Sequence, residues 1–522
     1  MKIIYRSLQF IILTMLISIA FSCSKKENEI EEIIINPEPI EETFNYTSSE
    51  KYNLNIVYFI PSDIKNLPNS HKRLSEIFLH GQQFYKSNMN HYGFENKTYN
   101  LLTDKEKNRV KIIYINGKHP TSNYPYEGGG AIIKEEVDAY FRTNPEENKS
   151  EHTIVIVPVK DQDNPDVPFY GWGKWCFALD YEHMDVNYFK DGTKKGADAT
   201  KYIGGLLHEL GHALNLPHNK QKVSESTLEN KGTSLMGSGN YTYGNSPTFL
   251  TEASCAILNN NQIFGSSNIE YYTGASLQIT SIKATYNNGS LNLNGTFQSD
   301  VDVNYVGYYN DPADDNADYD AVTWAAPISE NNTFNIDMPL NELFKKDNTP
   351  YALRLRFCHI NGEITTYSYA YKFVDNEPII EFGDKEYLDR SNWEIESYSS
   401  QEDDALASYV LDNNPSTYWH SKWKQNAASY PHTLTIDMGE NKLVNGFSFL
   451  QRDGMRKIKT IEILISTDAT NWENKGTYEL KNINTIHHIN LTNESNFRFF
   501  KIIAKSAFDG DKFAAMAEIK CY

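Results

Sequence analysis

From residue 51 onward the chain alternates two hydrophobic periods. Residues 54–60 and 153–159 are near-continuous apolar runs, TIVIVPV in the second, as expected of strands covered on both faces. Residues 110–115 read as a further strand, and 171–177 as an edge strand. Residues 71–91 and 131–142 instead repeat apolar positions three and four apart, as amphipathic helices do, and a last helix is expected near 250–261. The clearest helical signal is 199–214, where Ile203, Leu206, Leu207, Leu210 and Leu214 form one stripe and Pro217 ends the pattern. Strands alternating with helices predict an α/β domain over 51–270.

Around Gly274 the period changes to two. Residues 277–286, 290–297, 301–309, 333–338, 351–360 and 363–373 alternate apolar and polar positions between Asn, Gly and Asp turns, which predicts an immunoglobulin-like β-sandwich over 271–376. This domain reads as a spacer. Its 311–320 loop, DPADDNADYD, has no recognisable ligand spacing, so it reads as a solvated acidic loop in preference to a calcium site. A third region, 379–522, is again β-rich.

Ahead of these domains, Lys2 and Arg6 precede an apolar run over 8–21. Such a run falls in the signal-peptide range of ~7–15 residues and below the ~20 of a membrane span. Ala20-Phe21-Ser22-Cys23 resembles a bacterial lipobox, which makes 1–22 a lipoprotein signal peptide and Cys23 the lipidated residue that anchors the chain to a membrane. Residues 23–50 then form a flexible tether. Its charged start, SKKENE, resembles the surface-export signals of Bacteroidetes lipoproteins and implies a surface-exposed place on the outer membrane of a bacterial cell envelope. A formal charge of −19 over 522 residues argues against nucleic-acid binding. Cys176, Cys255, Cys358 and Cys521 are too few for a disulfide-built fold; Cys176 and Cys255 share a domain, and whether they pair is left open.

The chemistry concentrates in His208-Glu209-Leu210-Gly211-His212, with His218 six residues on. Helix positions four apart share a face, so His208 and His212 can present nitrogens to one ion, and His218 can return from beyond the helix end. Three neutral nitrogens with a fourth position open describe a catalytic zinc site, with Glu209 beside it as general base. Glu225 or Glu229 could be proposed as third ligand, but His218 follows the helix stop at the better spacing.

This pattern resembles the metzincin metallopeptidases, whose HExxHxxGxxH motif is followed by a methionine-containing turn. The resemblance implies a zincin fold, zinc on His208, His212 and His218, Glu209 as base, and Met236 of Ser234-Leu235-Met236-Gly237 beneath the metal. The alternative for Met236 is an ordinary core methionine. Asn215 stands where the family has Gly, and Asn is among the few other residues that adopt positive φ. Ser238 stands where some members carry a Tyr; Tyr241 and Tyr243 are near, but neither is assigned that role.

The C-terminal region carries VLDNNPSTYWH at 410–420, PHTLTIDMG at 431–439, Asn471-Trp472, FFKI at 499–502 and AEI at 517–519. It resembles the discoidin, or coagulation factor 5/8 C-type, family. That resemblance implies a jelly-roll β-sandwich, glycan binding through loops at one end, and a structural calcium near Asp412, Asn414, Thr417 and Glu518. An aromatic face with polar neighbours suits a sugar ring, which makes His420, Trp423, Arg452 and Asp453 the candidate glycan contacts; Trp419 reads as core. The whole is a multidomain chain whose expected function is zinc-dependent cleavage of proteins or glycoproteins, targeted by a glycan-binding module. The alternative is a glycan-binding surface adhesin with an inactive or latent peptidase domain.

Overall fold

The computed structural model describes residues 43–522 apart from 162, 228, 230, 266–268, 313–316, 381, 383 and 384. The signal peptide, Cys23 and most of the tether therefore lie outside the described residues.

The first domain is built on a five-stranded sheet ordered Ile113–Asn116, Asn55–Ile60, Thr153–Pro158, Trp175–Asp180 and Gly171–Trp172. The first four strands are parallel, and Gly171–Trp172 turns back as an antiparallel edge. Every residue of Thr153–Pro158 is buried, which accounts for its uninterrupted apolar run. The expected 171–177 strand is thus a hairpin of two strands, and the expected 110–115 strand divides into Arg109–Val110 and Ile113–Asn116. Helices Ser70–His91 and Gly129–Thr143 join the strands. The long helix Lys194–Ala213 begins where the Thr193 side chain accepts from the Gly196 N–H, a side-chain cap that satisfies one free amide of the first turn.

The middle domain has two antiparallel sheets. One is ordered Thr333–Pro339, Ser290–Ser299, Leu277–Asn287, Lys385–Glu386; the other Val322–Pro327, Val303–Pro312, Pro350–His359, Ile364–Val374, Glu377–Ile380. Val322–Pro327, Glu377–Ile380 and Lys385–Glu386 escape the sequence pattern, and the last two carry the sandwich past residue 376. The C-terminal region is a β-sandwich whose main sheet pairs His432–Leu450 with His487–Ala507 along most of their length. The final strand, Glu518–Cys521, closes against Phe447–Leu450.

The middle domain is not a spacer. Its Tyr309, Ala321, Ala325 and Cys358 are buried in the hydrophobic core of the first domain. Asn260 and Asn304 exchange amide hydrogen bonds of 2.6 and 2.8 Å across the same boundary. On its other side, Leu450, Ile486, Ala517 and Tyr522 of the C-terminal region enter the sandwich core. There the Ser276 hydroxyl donates to the Asp412 carbonyl at 3.0 Å, and the Leu277 N–H to that of Asn413 at 3.2 Å. A fully covered Leu or Ile, such as Leu450 or Ile486, contributes roughly 1.5–3 kcal/mol and an alanine less, so the three domains hold one another in place.

One open point is answered and one expectation is corrected. Cys176 and Cys255 are both buried and free, since each packs into apolar surroundings with no bridge between them. The described carboxylates of the 311–320 segment are not solvated: Arg354 Nη1 contacts Asp311 at 3.0 Å and Asp318 at 2.8 Å, and Lys220 Nζ contacts Asp320 at 2.6 Å. These three are anchors. Residues 44–270 expressed alone are expected to aggregate, or to melt about 10 °C or more below residues 44–522, which should unfold in one calorimetric transition. An independent, equally stable fragment would show that the shared cores do not couple the domains.

Candidate metal centre

The C-terminal part of Lys194–Ala213 carries His208 and, in its last turn, His212, and the chain must reverse sharply to return His218. Asn215 makes that reversal with φ of 69°. The Asn215 N–H donates to the His212 carbonyl at 2.9 Å and the Leu216 N–H to the Gly211 carbonyl at 3.0 Å, the paired bonds of a Schellman ending. Asn thus does here what the expected Gly would do.

The three rings converge. His212 Nε2 lies 3.2 Å from His208 Nε2 and 2.9 Å from His218 Nε2. Each Nδ1 meets a carbonyl: Leu235 O at 2.7 Å from His208, Leu216 O at 2.9 Å from His212, and Ala317 O at 2.7 Å from His218. A carbonyl only accepts, so each Nδ1 carries the proton and each Nε2 presents a lone pair. Burial, followed by the neighbouring imidazoles, pushes His208 down to about 3; burial and then His218 push His212 down to about 4. Burial also lowers His218. Three neutral rings with lone pairs this close repel unless a cation lies between them. This donor set fits zinc, with ring orientation fixed from behind as metal-bound histidines require.

Met236 is fully buried under this turn, and its Sδ stands so close to Gly211 that a Cβ there would come within 2.4 Å. The preceding residue, Leu235, supplies the carbonyl that orients His208. The methionine turn is therefore tied to the site by its backbone, and its side chain needs a glycine at 211, between Glu209 and His212. Glu209 points to the sheet edge, where it accepts a backbone hydrogen bond from Gly171; burial outweighs this bond and raises its carboxyl to about 7. A cleft of about 750 Å³ runs past His212 and His218 between Gly171 and Arg356.

The second wall of the centre comes from the middle domain. Besides the Ala317 carbonyl, the ring of Tyr319 stacks on His218 with centroids 3.6 Å apart and planes at 23°. Tyr319 remains 44% exposed on its other face. No local signal announces this residue, because it lies about a hundred positions downstream in a carboxylate-rich segment.

In the C-terminal region the candidate glycan residues separate. His420, Trp423 and Arg452 line one pocket of about 320 Å³ together with Tyr418. Trp423 is 50% exposed, whereas Trp419 is buried and donates its Nε1–H to the Ser400 carbonyl. Arg452 lies over the Tyr418 ring at 4.2 Å. Asp453 does not line this pocket; it faces a neighbouring cavity and accepts from Asn484 at 2.6 Å. Of the candidate calcium ligands, Asp412 accepts from the Asn414 N–H at 2.9 Å and from the Thr417 hydroxyl at 2.7 Å. Asn414 Oδ1 instead accepts from the Ser416 N–H at 3.0 Å. Glu518 is buried against Arg390 Nη2 at 2.7 Å, while its Oε1 has no hydrogen-bond partner. That open buried acceptor fits a cation, with Arg390 already supplying one positive charge.

Comparison with known proteins follows the same division. Residues 394–519 match the F5/8 type C domain family. Over 139 residues the chain is 28% identical to a sialidase of Micromonospora viridifaciens, covering 26% of this chain and 22% of the relative. Over 147 residues it is 30% identical to a galactose oxidase of Gibberella zeae, covering 26% and 20%. The chain thus spans about a fifth of the length of these curated relatives. The crystal structure of OgpA from Akkermansia muciniphila superposes with a TM-score of 0.60 at 35% identity, covering 65% of this chain and 98% of OgpA. A catalytically inactive form of OgpA has been crystallised with an O-glycopeptide substrate.

Two substitutions test this geometry. Tyr319→Ala is expected to weaken zinc binding about tenfold in chelator competition, as loss of a supporting contact does at metal sites; an unchanged affinity would show that the stacked ring gives no support. Asn215→Ala should lower unfolding free energy by about 1 kcal/mol, whereas Asn215→Gly should be close to neutral, both read from denaturant midpoints.

Proposed function

Since the chain belongs to the same family as OgpA, we propose that it is a zinc-dependent endopeptidase of O-glycosylated proteins, carrying a glycan-binding module at its C-terminus. The observation that supports this most directly is the triangle of Nε2 lone pairs at His208, His212 and His218, each ring held by a carbonyl behind it. A zinc ion held there would polarise the scissile carbonyl and supply Lewis acidity.

The chain's own residues do the rest. Glu209, fixed by the Gly171 N–H at the mouth of the cleft, takes the proton of the attacking water and returns it to the leaving nitrogen. A carboxyl raised toward neutrality by burial suits both halves of that exchange. Gly171 and Gly173 line one side of the cleft, and Arg356 with Glu363 the other, so substrate would pass between the first and middle domains.

The exposed indole of Trp423 offers a flat apolar face for a sugar's C–H surface, with His420 and Arg452 beside it for the hydroxyls. Calcium beside Asp412 and Glu518 would be structural, bracing the turn that carries the Asp412 and Asn413 carbonyls onto the sandwich. Lipid attachment at Cys23, with the protein facing outward from the outer membrane, completes the proposal and would set the enzyme among extracellular glycoproteins.

Glu209→Gln is expected to retain zinc and to lose at least about a hundredfold in cleavage of an O-glycopeptide followed by mass spectrometry. Wild-type protein should lose its activity when the same peptide is enzymatically deglycosylated. Equal cleavage of the bare and glycosylated peptides would reduce the reading to a general peptidase, and an active Glu209→Gln protein would remove Glu209 from the mechanism.

A further inference from the structure

A cavity of about 490 Å³ lies between the middle domain and the C-terminal module. Its size is that of sites that take small ligands. Arg354, Arg356 and Ser368 line it from the sandwich; Ser416, Arg452 and Asn484 line it from the module. Arg354 and Arg356 are held rigid by Asp318, at 2.8 and 3.2 Å. Three guanidinium groups, those of Arg354, Arg356 and Arg452, line this one space together with the side chains of Ser416 and Asn484. Arginine only donates, so walls built this way suit a ligand rich in acceptor oxygens.

The cavity continues in both directions. Arg356 also borders the zinc cleft, and Arg452 and Tyr418 also border the Trp423 pocket. Asp318, which fixes the two sandwich arginines, sits between the residue whose carbonyl holds His218 and the residue whose ring stacks on it. Shared cores on both sides of the sandwich keep these three spaces in register.

Resting on the glycopeptidase reading above, we propose that the inter-domain cavity is a saccharide subsite for an extended glycan of the bound substrate, joining the zinc cleft to the Trp423 pocket. Hydroxyl and ring oxygens of a chain of sugars would accept from the arginines and Ser416. A bare peptide, with its apolar side chains, would leave most of those donors unmatched. The enzyme would then select substrates by glycan length as well as by glycan presence.

The test uses the full chain with Glu209→Gln, so that binding is read without cleavage. Two probes share one threonine peptide: one bears a single O-linked N-acetylgalactosamine, the other a linear tetrasaccharide on the same threonine. The tetrasaccharide probe is expected to bind at least about tenfold more tightly by calorimetry. Ser416→Trp and Asn484→Trp, both at exposed rim positions, should fill the cavity and bring the ratio of the two affinities close to one. Melting temperatures confirm that both variants fold. Equal affinities in the parent protein would overturn the proposal. So would a ratio that survives both tryptophans but falls in Trp423→Ala, because the extension would then be read by the aromatic pocket alone. Cleavage of the monosaccharide probe by wild-type protein is measured separately; failure there counts against the glycopeptidase reading, while the affinity ratio still decides the cavity.

Discussion

Three neutral imidazoles facing one another at 2.9 and 3.2 Å form an arrangement that repels itself, and the surrounding structure is organised to hold it. One restraint, Leu216 O, is local to the helix ending. A second, Leu235 O, comes from the methionine turn. The third, Ala317 O, comes from another domain altogether. Three rings restrained from three separate segments can keep a fourth side open without collapsing, as the proposed catalytic metal would require. The Schellman ending at Asn215, the contact of Met236 with Gly211 and the anchoring of the 317–320 segment all serve that restraint.

The third restraint changes what the middle domain is for. A flexible spacer would leave the glycan module to act by tethering alone, raising local substrate concentration in proportion to linker reach. Here the sandwich shares buried side chains with both neighbours, and its acidic segment is pinned by Arg354, Arg356 and Lys220. The module is therefore held at a fixed position relative to the zinc cleft. Fixed geometry gives up the reach of a tether but reduces the ordering cost on binding, because the subsites are already in register.

Legibility in the sequence followed the range of the interaction. The zinc helix, its stripe of leucines and the four-residue spacing of His208 and His212 are local periodicities, and the structure brings those rings together. The turn at Asn215 was readable for the same reason: few residues adopt positive φ, and Asn is one of them. What escaped was contributed by distant chain. Ala317 acts through a carbonyl, which every residue has and no sequence displays. Tyr319 lies in a segment whose carboxylates look solvated until Arg354 and Arg356, some forty positions on, are folded against them. The pairing of Cys176 with Cys255, open on composition, is not made: both are free thiols buried in one apolar core. Strand Val322–Pro327 was missed because it follows that acidic segment directly, and its burial comes partly from packing against the first domain.

Arg452 and Asp453 show how adjacent residues divide between two tasks. Both stood among the four candidate glycan contacts, yet Asp453 faces the inter-domain cavity and does not line the Trp423 pocket, while Arg452 borders both. The guanidinium is planar and lies over the Tyr418 ring at 4.2 Å, so its position is set by stacking and its N–H groups remain available at the edges. A lysine would keep the charge and lose that geometry. The partition between pocket and cavity is thus a stacked pair, Arg452 on Tyr418, and the same pair can serve sugars on either side. For a glycan longer than one residue, the two spaces then act as neighbouring parts of one surface, and what the module recognises is set jointly with the domain beside it.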